Sequence, residues 1–323
     1  MTAHSKALGN PKVVALGGGH GLAANLAALR KVTNEITAIV TVADNGGSSG
    51  RLRKEFSIMP PGDLRMALAA LCGDDEWGRS WAEIMQYRFT SEGELNGHPI
   101  GNLLLAALWD RDGDSVAGLE RVGALLKVVG RVLPMAAEPL DIEATFDTPQ
   151  GLKTVHGQVE VATTVGRLQS IRIIPENPQA RPEVIAAIEE AEWITMGPGS
   201  WFTSVLPHLL IPSLREAIAN SKAKKILLVN LDAGDAFAEK TGELSGHTPL
   251  EHVELLLRYA PELHFDLVVA DQSLDGQDRL REKLSSLGSE LLIADLRSET
   301  AKNHHDEQKL TSLFAHIGSQ ILV

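Results

Sequence analysis

The chain holds a single cysteine, Cys72, among 323 residues, so neither an intrachain disulfide nor a cysteine-built metal cluster is available to it. It lacks a basic excess. Lysine and arginine number 30 against 42 aspartates and glutamates, for a net charge of −12. That argues against non-specific nucleic-acid binding, which needs a basic face against the phosphates. No apolar run reaches the roughly 18 residues of a membrane-spanning helix. The opening MTAHSKALGNPK has no apolar stretch of the secretory kind. Internal repeats and low-complexity tracts are missing as well. The expectation is a cytoplasmic protein without a membrane span. With 44% hydrophobic residues it can bury a large core.

What is present is alternation of strand and helix signals. Residues 1–11 read as a flexible polar tail, and 12–323 as one α/β domain. Residues 12–16 form a short apolar strand, and Leu22, Leu26 and Leu29 mark a helix by their spacing. A β-branched run at 36–42 reads as a buried parallel strand. Together these make a β-α-β unit. Asp63 reads as the cap of a helix through about Leu71, and Asn102 as the N-cap of one to Trp109. Further helices are expected at 80–88 and 115–127. Residues 131–174, with alternating segments at 140–146, 158–163 and 170–174, read as an antiparallel excursion. Strands at 192–196, 225–230, 265–270 and 290–295 then alternate with helices at 182–191, 212–220, 249–259 and 276–287. A terminal helix is expected at 308–321. The fold class is α/β, a Rossmann-like, doubly wound, mostly parallel sheet with a β-rich insertion.

Four segments carry candidate chemistry. Gly17-Gly18-Gly19-His20-Gly21 lies between the first strand and first helix, where unsatisfied amides and partial positive charge attract anions. Asp44 ends the second strand, and Asn45-Gly46-Gly47-Ser48-Ser49-Gly50 follows with Arg51 and Arg53, a loop suited to close approach of a phosphate. Gly197-Pro198-Gly199-Ser200, with Thr203 and Ser204 just beyond, is a second glycine-rich strand-to-helix turn. Open α/β sheets bind ligands at the carboxyl edge, so two such turns point to a ligand with phosphate at both ends. Gly97-His98-Pro99-Ile100-Gly101-Asn102 enters a helix. His98 is either a general base, a phosphate contact or a structural histidine. In Pro60-Pro61-Gly62-Asp63-Leu64-Arg65, Asp63 caps the helix or touches metal or substrate, and Arg65 pairs with phosphate. Asp44 is the better Mg2+ candidate, since Mg2+ takes one or two carboxylates plus phosphate oxygens. Trp193, Trp201 and Phe202 read as core. His304-His305 reads as a solvated pair, and Arg79 and Arg88 as surface residues without readable chemistry.

Taken in order, GGGHGL at 17–22, ITAIVTVADNGGSSGRLR at 36–53, PPGDLR at 60–65, GHPIGNLLLAAL at 97–108 and GPGSWFTSVLPHLLIP at 197–212 carry a resemblance. The chain resembles the gluconeogenesis factor family (YvcK-like), related to the 2-phospho-L-lactate transferases (CofD-like). The resemblance runs from about Lys12 to Asp271. It implies a CofD-like core that binds a nucleotide or nucleotide sugar, and a role in cell shape and cell-wall synthesis during gluconeogenic growth. Cell-envelope regulatory proteins and a second copy of the chain are the partners to look for. CofD-like relatives transfer a phospholactyl group from a nucleotide-activated donor with Mg2+. By position, the glycines at 17–21 and 46–47, Ser48, Ser49 and 197–200 would line the nucleotide site, and Asn230 begins another binding loop. The family commonly has Thr at His20, a second Asp at Asn45, and a Gln-x-Gly-Glu-Thr motif where 231–242 stands here. An amide in place of the second carboxylate binds Mg2+ more weakly.

Three functions compete. A UDP-sugar sensor is favoured by the family motifs. A transferase is suggested by two anion cradles with Asp44, Asp63 and His98 between them. A nicotinamide-dependent oxidoreductase rests only on G-x-G-x-x-A at 19–24 with Asp44 beyond it.

Overall fold

In the computed structural model, residues 10–231, 248–301 and 303–321 are described. Five β-branched or apolar residues in a row make β1 (Val13–Gly17), buried along its whole length. β2 (Ile36–Val40) and β3 (Arg131–Pro134) lie to one side of it. Three strands, β4 (Asp141–Thr148), β5 (Gly151–His156) and β6 (Arg167–Ile174), then leave the main sheet. β7 (Trp193–Met196), β8 (Lys224–Leu228), β9 (Leu267–Asp271) and β10 (Glu290–Ala294) return to it. The seven-stranded sheet has the order β10-β9-β8-β7-β1-β2-β3, with every neighbouring pair parallel. Strands so apolar need helices on both faces. The chain winds outward from β1 in one direction and from β7 in the other. The β1–β7 boundary is therefore a topological switch point, where such sheets open a crevice.

Helices α1 (Gly19–Leu29), α2 (Gly47–Phe56), α3 (Pro61–Ala70), α4 (Glu76–Gln86) and α5 (Ile100–Asp112) follow the first two strands. Two expected caps are displaced. α3 starts two residues before Asp63, at Pro61, because proline suits a first helical position that needs no amide. Asp63 is a first-turn acid. α5 likewise starts after Pro99, and Asn102 sits inside its first turn. The helix expected at 80–88 is α4, capped by Asp75, whose carboxylate accepts from the Gly78 amide at 2.7 Å.

The antiparallel sheet β5-β4-β6 begins at Asp141; the 131–134 segment belongs to the main sheet instead, beside β2. The expected strand at 158–163 is a short helix, Gln158–Thr163. Gly157, at φ +99°, turns the chain out of β5 and into it. β5 escaped prediction because only Val155 in it is buried. The excursion is fastened to the core by Phe146, whose ring centroid is 5.9 Å from that of Phe202. Leu140 adds a backbone bond, its amide donating to the Val42 carbonyl. Trp193, Trp201 and Phe202 are buried, as core residues should be. No described helix is long and apolar enough to cross a membrane.

Candidate functional site

Four segments converge at the carboxyl edge around the switch point. β1 runs through Gly18, in extended conformation, into α1. β2 continues to Asp44 and enters α2 through Gly46. Each helix opens on a glycine that has no side chain to cap it. β7 leaves through Gly197, at φ +74°, and Gly199. The two glycine turns touch. A Cβ at Gly21 would stand 2.3 Å from the Pro198 carbonyl oxygen, and one at Gly199 would stand 3.5 Å from the Gly18 oxygen.

Two carboxylates answer the uncapped helices. Asp44 Oδ1 accepts from the Gly46 amide at 2.8 Å, at the mouth of α2. Asp63 lies at the mouth of α1, where the Gly19 amide acts on its carboxyl. Each places negative charge where the helix dipole favours it. A Cβ at Gly62 would lie 2.7 Å from Asp44 Oδ2 and 2.6 Å from Ser49 Oγ, so all three crowd the start of α3. Ser49 Oγ accepts from the Gly62 amide at 3.0 Å. On the other side, a Cβ at Gly18 would meet Thr41, Asp63 Oδ2 and, at 3.3 Å, Ser204 Oγ. Among the described residues, Asp63 Oδ2 and Thr41 Oγ1 are buried without a hydrogen-bond partner. Burial, reinforced by the charge of Asp44, pushes Asp63 up to about 7; the Gly19 amide and Arg65 pull the other way.

A buried polar relay flanks this pair. Asn102 Nδ2 donates to Ser48 Oγ at 3.0 Å, and Ser48 Oγ lies 2.7 Å from His98 Nδ1. Ser48 Oγ thus accepts from Asn102 and shares a hydrogen bond with His98 Nδ1; a Ser48 proton given to Nδ1 would leave the ring's own proton on Nε2. Burial, then the cation of Arg51, holds His98 below its ordinary value.

Arg65 is 2% exposed. Its Nη1 donates to the neutral Gln86 Oε1, and its Nε is buried without a partner among the described residues. Gly101 makes room for it, since a Cβ there would stand 2.8 Å from Arg65 Cγ. Burial and the nearby Arg88 bring the guanidinium down to about 10. His20 meets His304 edge-on, with ring centroids 5.7 Å apart. Burial, then the neighbouring His304, Arg65 and Arg88, keep His20 below its usual value.

A family model described as "2-phospho-L-lactate transferase CofD" matches residues 13–312. The "Putative gluconeogenesis factor" of Mycobacterium leprae is 43% identical over 96% of this chain and 87% of its own length. The "Gluconeogenesis factor" of Listeria innocua is 33% identical over 89% of each. The chain belongs to the gluconeogenesis factor family, within the CofD-like proteins. A crystal structure of protein BH3568 from Bacillus halodurans superimposes with a TM-score of 0.82 at 31% identity, covering 94% of this chain and 99% of that one. A second crystal structure of BH3568 describes it as a member of the UPF0052 family.

In this member of the gluconeogenesis factor family, several expected site residues are engaged elsewhere. Arg51 donates through Nη1 to the Glu94 carbonyl and through Nη2 to that of Asn96, both at 2.8 Å, and so ties down the turn before His98. Asn45 Oδ1 accepts from the Val159 amide at 3.3 Å, which docks the Gln158–Thr163 helix onto the Asp44 loop. Arg53 bridges the Asp44 carbonyl and Asp141. Ser200 caps its own turn, accepting from the Thr203 amide at 3.2 Å. Asn230 follows β8 on the same edge, and the altered loop at 232–247 lies outside the described residues. Gly17 and Gly47 complete the two first turns.

Sequence reasoning missed four contributors. Thr41 faces Asp63. Asn25, buried in α1, donates to Thr195 Oγ1 and the Gly197 carbonyl at 3.0 Å, joining the first helix to the second turn. Arg88, set aside as a surface residue, adds positive charge beside His20 and Arg65, and His304, read as solvated, stands edge-on to the His20 ring. His305 is buried, not solvated, because its backbone pairs with Arg297 and draws the ring inward. Burial takes it down to about 4. None of these sits in a glycine turn or at a readable spacing.

Proposed function

We propose that this chain binds a nucleotide-activated sugar, with a UDP-sugar as the first candidate, at the carboxyl edge of the parallel sheet. Arg65 carries the reading. A buried guanidinium hydrogen-bonded to a neutral amide, with Nε unpartnered among the described residues and Asp63 and Asp44 acting on it without a hydrogen bond, keeps donors free for an anion. Such burial costs several kcal/mol unless an anion answers it, and phosphate suits the guanidinium fork. The N-termini of α1 and α2 supply further anion-binding amides. The role that follows is that of a cytoplasmic sensor, reporting nucleotide-sugar supply to cell-envelope regulatory proteins and supporting cell shape under gluconeogenic growth.

Calorimetric titration with UDP-N-acetylglucosamine, GDP and NADH, with and without Mg2+, tests this. UDP-sugar binding indifferent to Mg2+ is expected. Ligand at a hundredfold its Kd should add about 2.7 kcal/mol of stability. Arg65→Met should abolish that gain while leaving the ligand-free melting temperature unchanged or higher. No heat and no melting shift with any UDP-sugar would overturn the proposal.

A second reading, a 2-phospho-L-lactate transferase-like enzyme, draws on the proximity of Asp44 and Asp63. Two neighbouring carboxylates with an orphaned oxygen fit Mg2+ shared with ligand phosphates. Bound there, Mg2+ would neutralise charge on the transferred group. Asp44 and Asp63 would hold it, Arg65 would orient the phosphate, and His98 Nε2 would offer a proton. Asp44→Asn would then abolish turnover while changing nucleotide affinity by less than about tenfold. Equal loss of both counts against this reading.

A further inference from the structure

We infer that His20 and His304 form a second phosphate subsite beside Arg65, so that the ligand at the carboxyl edge carries a diphosphate. The subsite belongs to the nucleotide-sugar site proposed above and rests on that reading for the base and the sugar. His20 stands in the first turn of α1, directly after Gly19. The Glu307–His316 helix packs against α1, and the turn leading into it reaches the same helix mouth. Two backbone bonds close that turn: the Ser298 amide donates to the His304 carbonyl at 2.9 Å, and the His304 amide to the Ala301 carbonyl at 2.8 Å. The two rings meet at right angles with centroids 5.7 Å apart, and both side chains are exposed. At that spacing one phosphoryl group can accept an N–H from each ring.

The surroundings are basic. Arg65 and Arg88 both act electrostatically on His20, and no carboxylate figures among the charges that do. The four groups come from α1, from α3, from the segment after α4 and from the turn before the last helix. Among the described residues none of the four forms an ion pair. Arg88 spends one nitrogen on the Gly97 carbonyl, at 2.8 Å. The acids nearest His304 in the chain are engaged: Asp306 accepts from the Gln308 and Lys309 amides at 2.9 and 3.0 Å, and Glu299 acts on Lys309. Basic groups gathered without acidic partners repel one another, and an anion among them relieves that repulsion.

Arg65 marks where the first phosphoryl group goes, being 2% exposed with Nε unpartnered among the described residues. A second group bonded to the first then falls to His20 and His304, with Arg88 alongside. Partial burial and the same neighbours hold His20 below its ordinary value, so its ring is neutral near pH 7 without ligand and gains a proton when phosphate arrives. The family commonly has Thr at position 20, a hydroxyl without charge, so this proton is the chain's own addition.

Imidazole nitrogen NMR of the full chain near neutral pH, titrated with inorganic pyrophosphate and separately with orthophosphate, tests this. Pyrophosphate should move His20 and His304 together towards the protonated form, and at lower concentration than orthophosphate does. His264, at the opposite edge of the sheet before β9, should stay still. His20→Thr and His304→Ala should each weaken pyrophosphate binding at least about fivefold, with circular dichroism confirming the fold, and His264→Ala should not. Pyrophosphate that leaves both rings unmoved, or that binds both variants as tightly as the natural protein, would overturn the subsite. UDP-sugar binding with both imidazoles unmoved would overturn it too, while sparing the nucleotide-sugar reading. Pyrophosphate that engages both rings in a chain indifferent to every UDP-sugar would do the reverse.

Discussion

Gly21 of the first glycine turn rests on the Pro198 carbonyl of the second, so closely that a Cβ at residue 21 would lie 2.3 Å from that oxygen and 2.8 Å from Gly199 Cα. The two turns leave strands that are far apart in the chain and adjacent in the sheet. Their contact makes one continuous surface at the switch point. It also means that Gly21 serves packing between the turns, whereas Gly18 faces Thr41 and Asp63.

Gly21→Ala is therefore expected to cost about 2–3 kcal/mol, because backbone, not a flexible side chain, stands in the way. UDP-sugar binding should weaken with it. Gly93→Ala, with open space around it, should change neither. Thermal unfolding and calorimetry on both variants check this; equal melting temperatures would remove the packing role.

Asp63 makes stability depend on pH in a defined direction. Its folded value of about 7 lies above the ordinary 3.8. Below pH 3.8 both folded and unfolded chains hold the proton and the residue costs nothing. As pH rises from there to about 7, the unfolded chain releases its proton first, and folding loses stability. The full shift corresponds to roughly 4 kcal/mol as a ceiling. Asp63→Asn keeps an acceptor for the Gly19 amide and removes the titration. The variant and the natural protein should melt alike near pH 4, and the variant should be the more stable by about 2–4 kcal/mol above pH 7. A difference that stays constant with pH would refute the assignment.

Ser48→Ala should cost about 2 kcal/mol, since it strands His98 Nδ1 and Asn102 Nδ2 in a buried position. The same change frees the histidine to exchange tautomers. Nitrogen NMR of the imidazole should report the Nε2-protonated form in the natural protein and a mixture in the variant. A mixture in both would mean that Ser48 does not orient the ring.

The parallel sheet was legible because its strands are short, uninterrupted apolar runs between glycine turns. The helices Pro212–Asn220 and Pro249–Tyr259 begin where proline makes them begin, and their bounds read directly. β5 was hidden because it is almost wholly exposed and presents no apolar alternation. Gln158–Thr163 misled because Val159 and Val161 alternate like a strand, while Gly157 and the Asn45 contact bend the segment into a helical turn.

Sequence by itself determined the alternating strands and helices of the parallel sheet, the two glycine turns, and the absence of an intrachain disulfide. Those properties are local, set by periodicity, by backbone freedom at glycine and by composition. Tertiary structure decided which turns meet, that Ser48 finds His98 across 50 positions, and that Asp63 is buried beside Asp44. It also decided that Arg65 is buried against a neutral amide. A parallel sheet neighbours strands by crossover and not by succession, so these pairings depend on strand order and burial, which no spacing along the chain encodes.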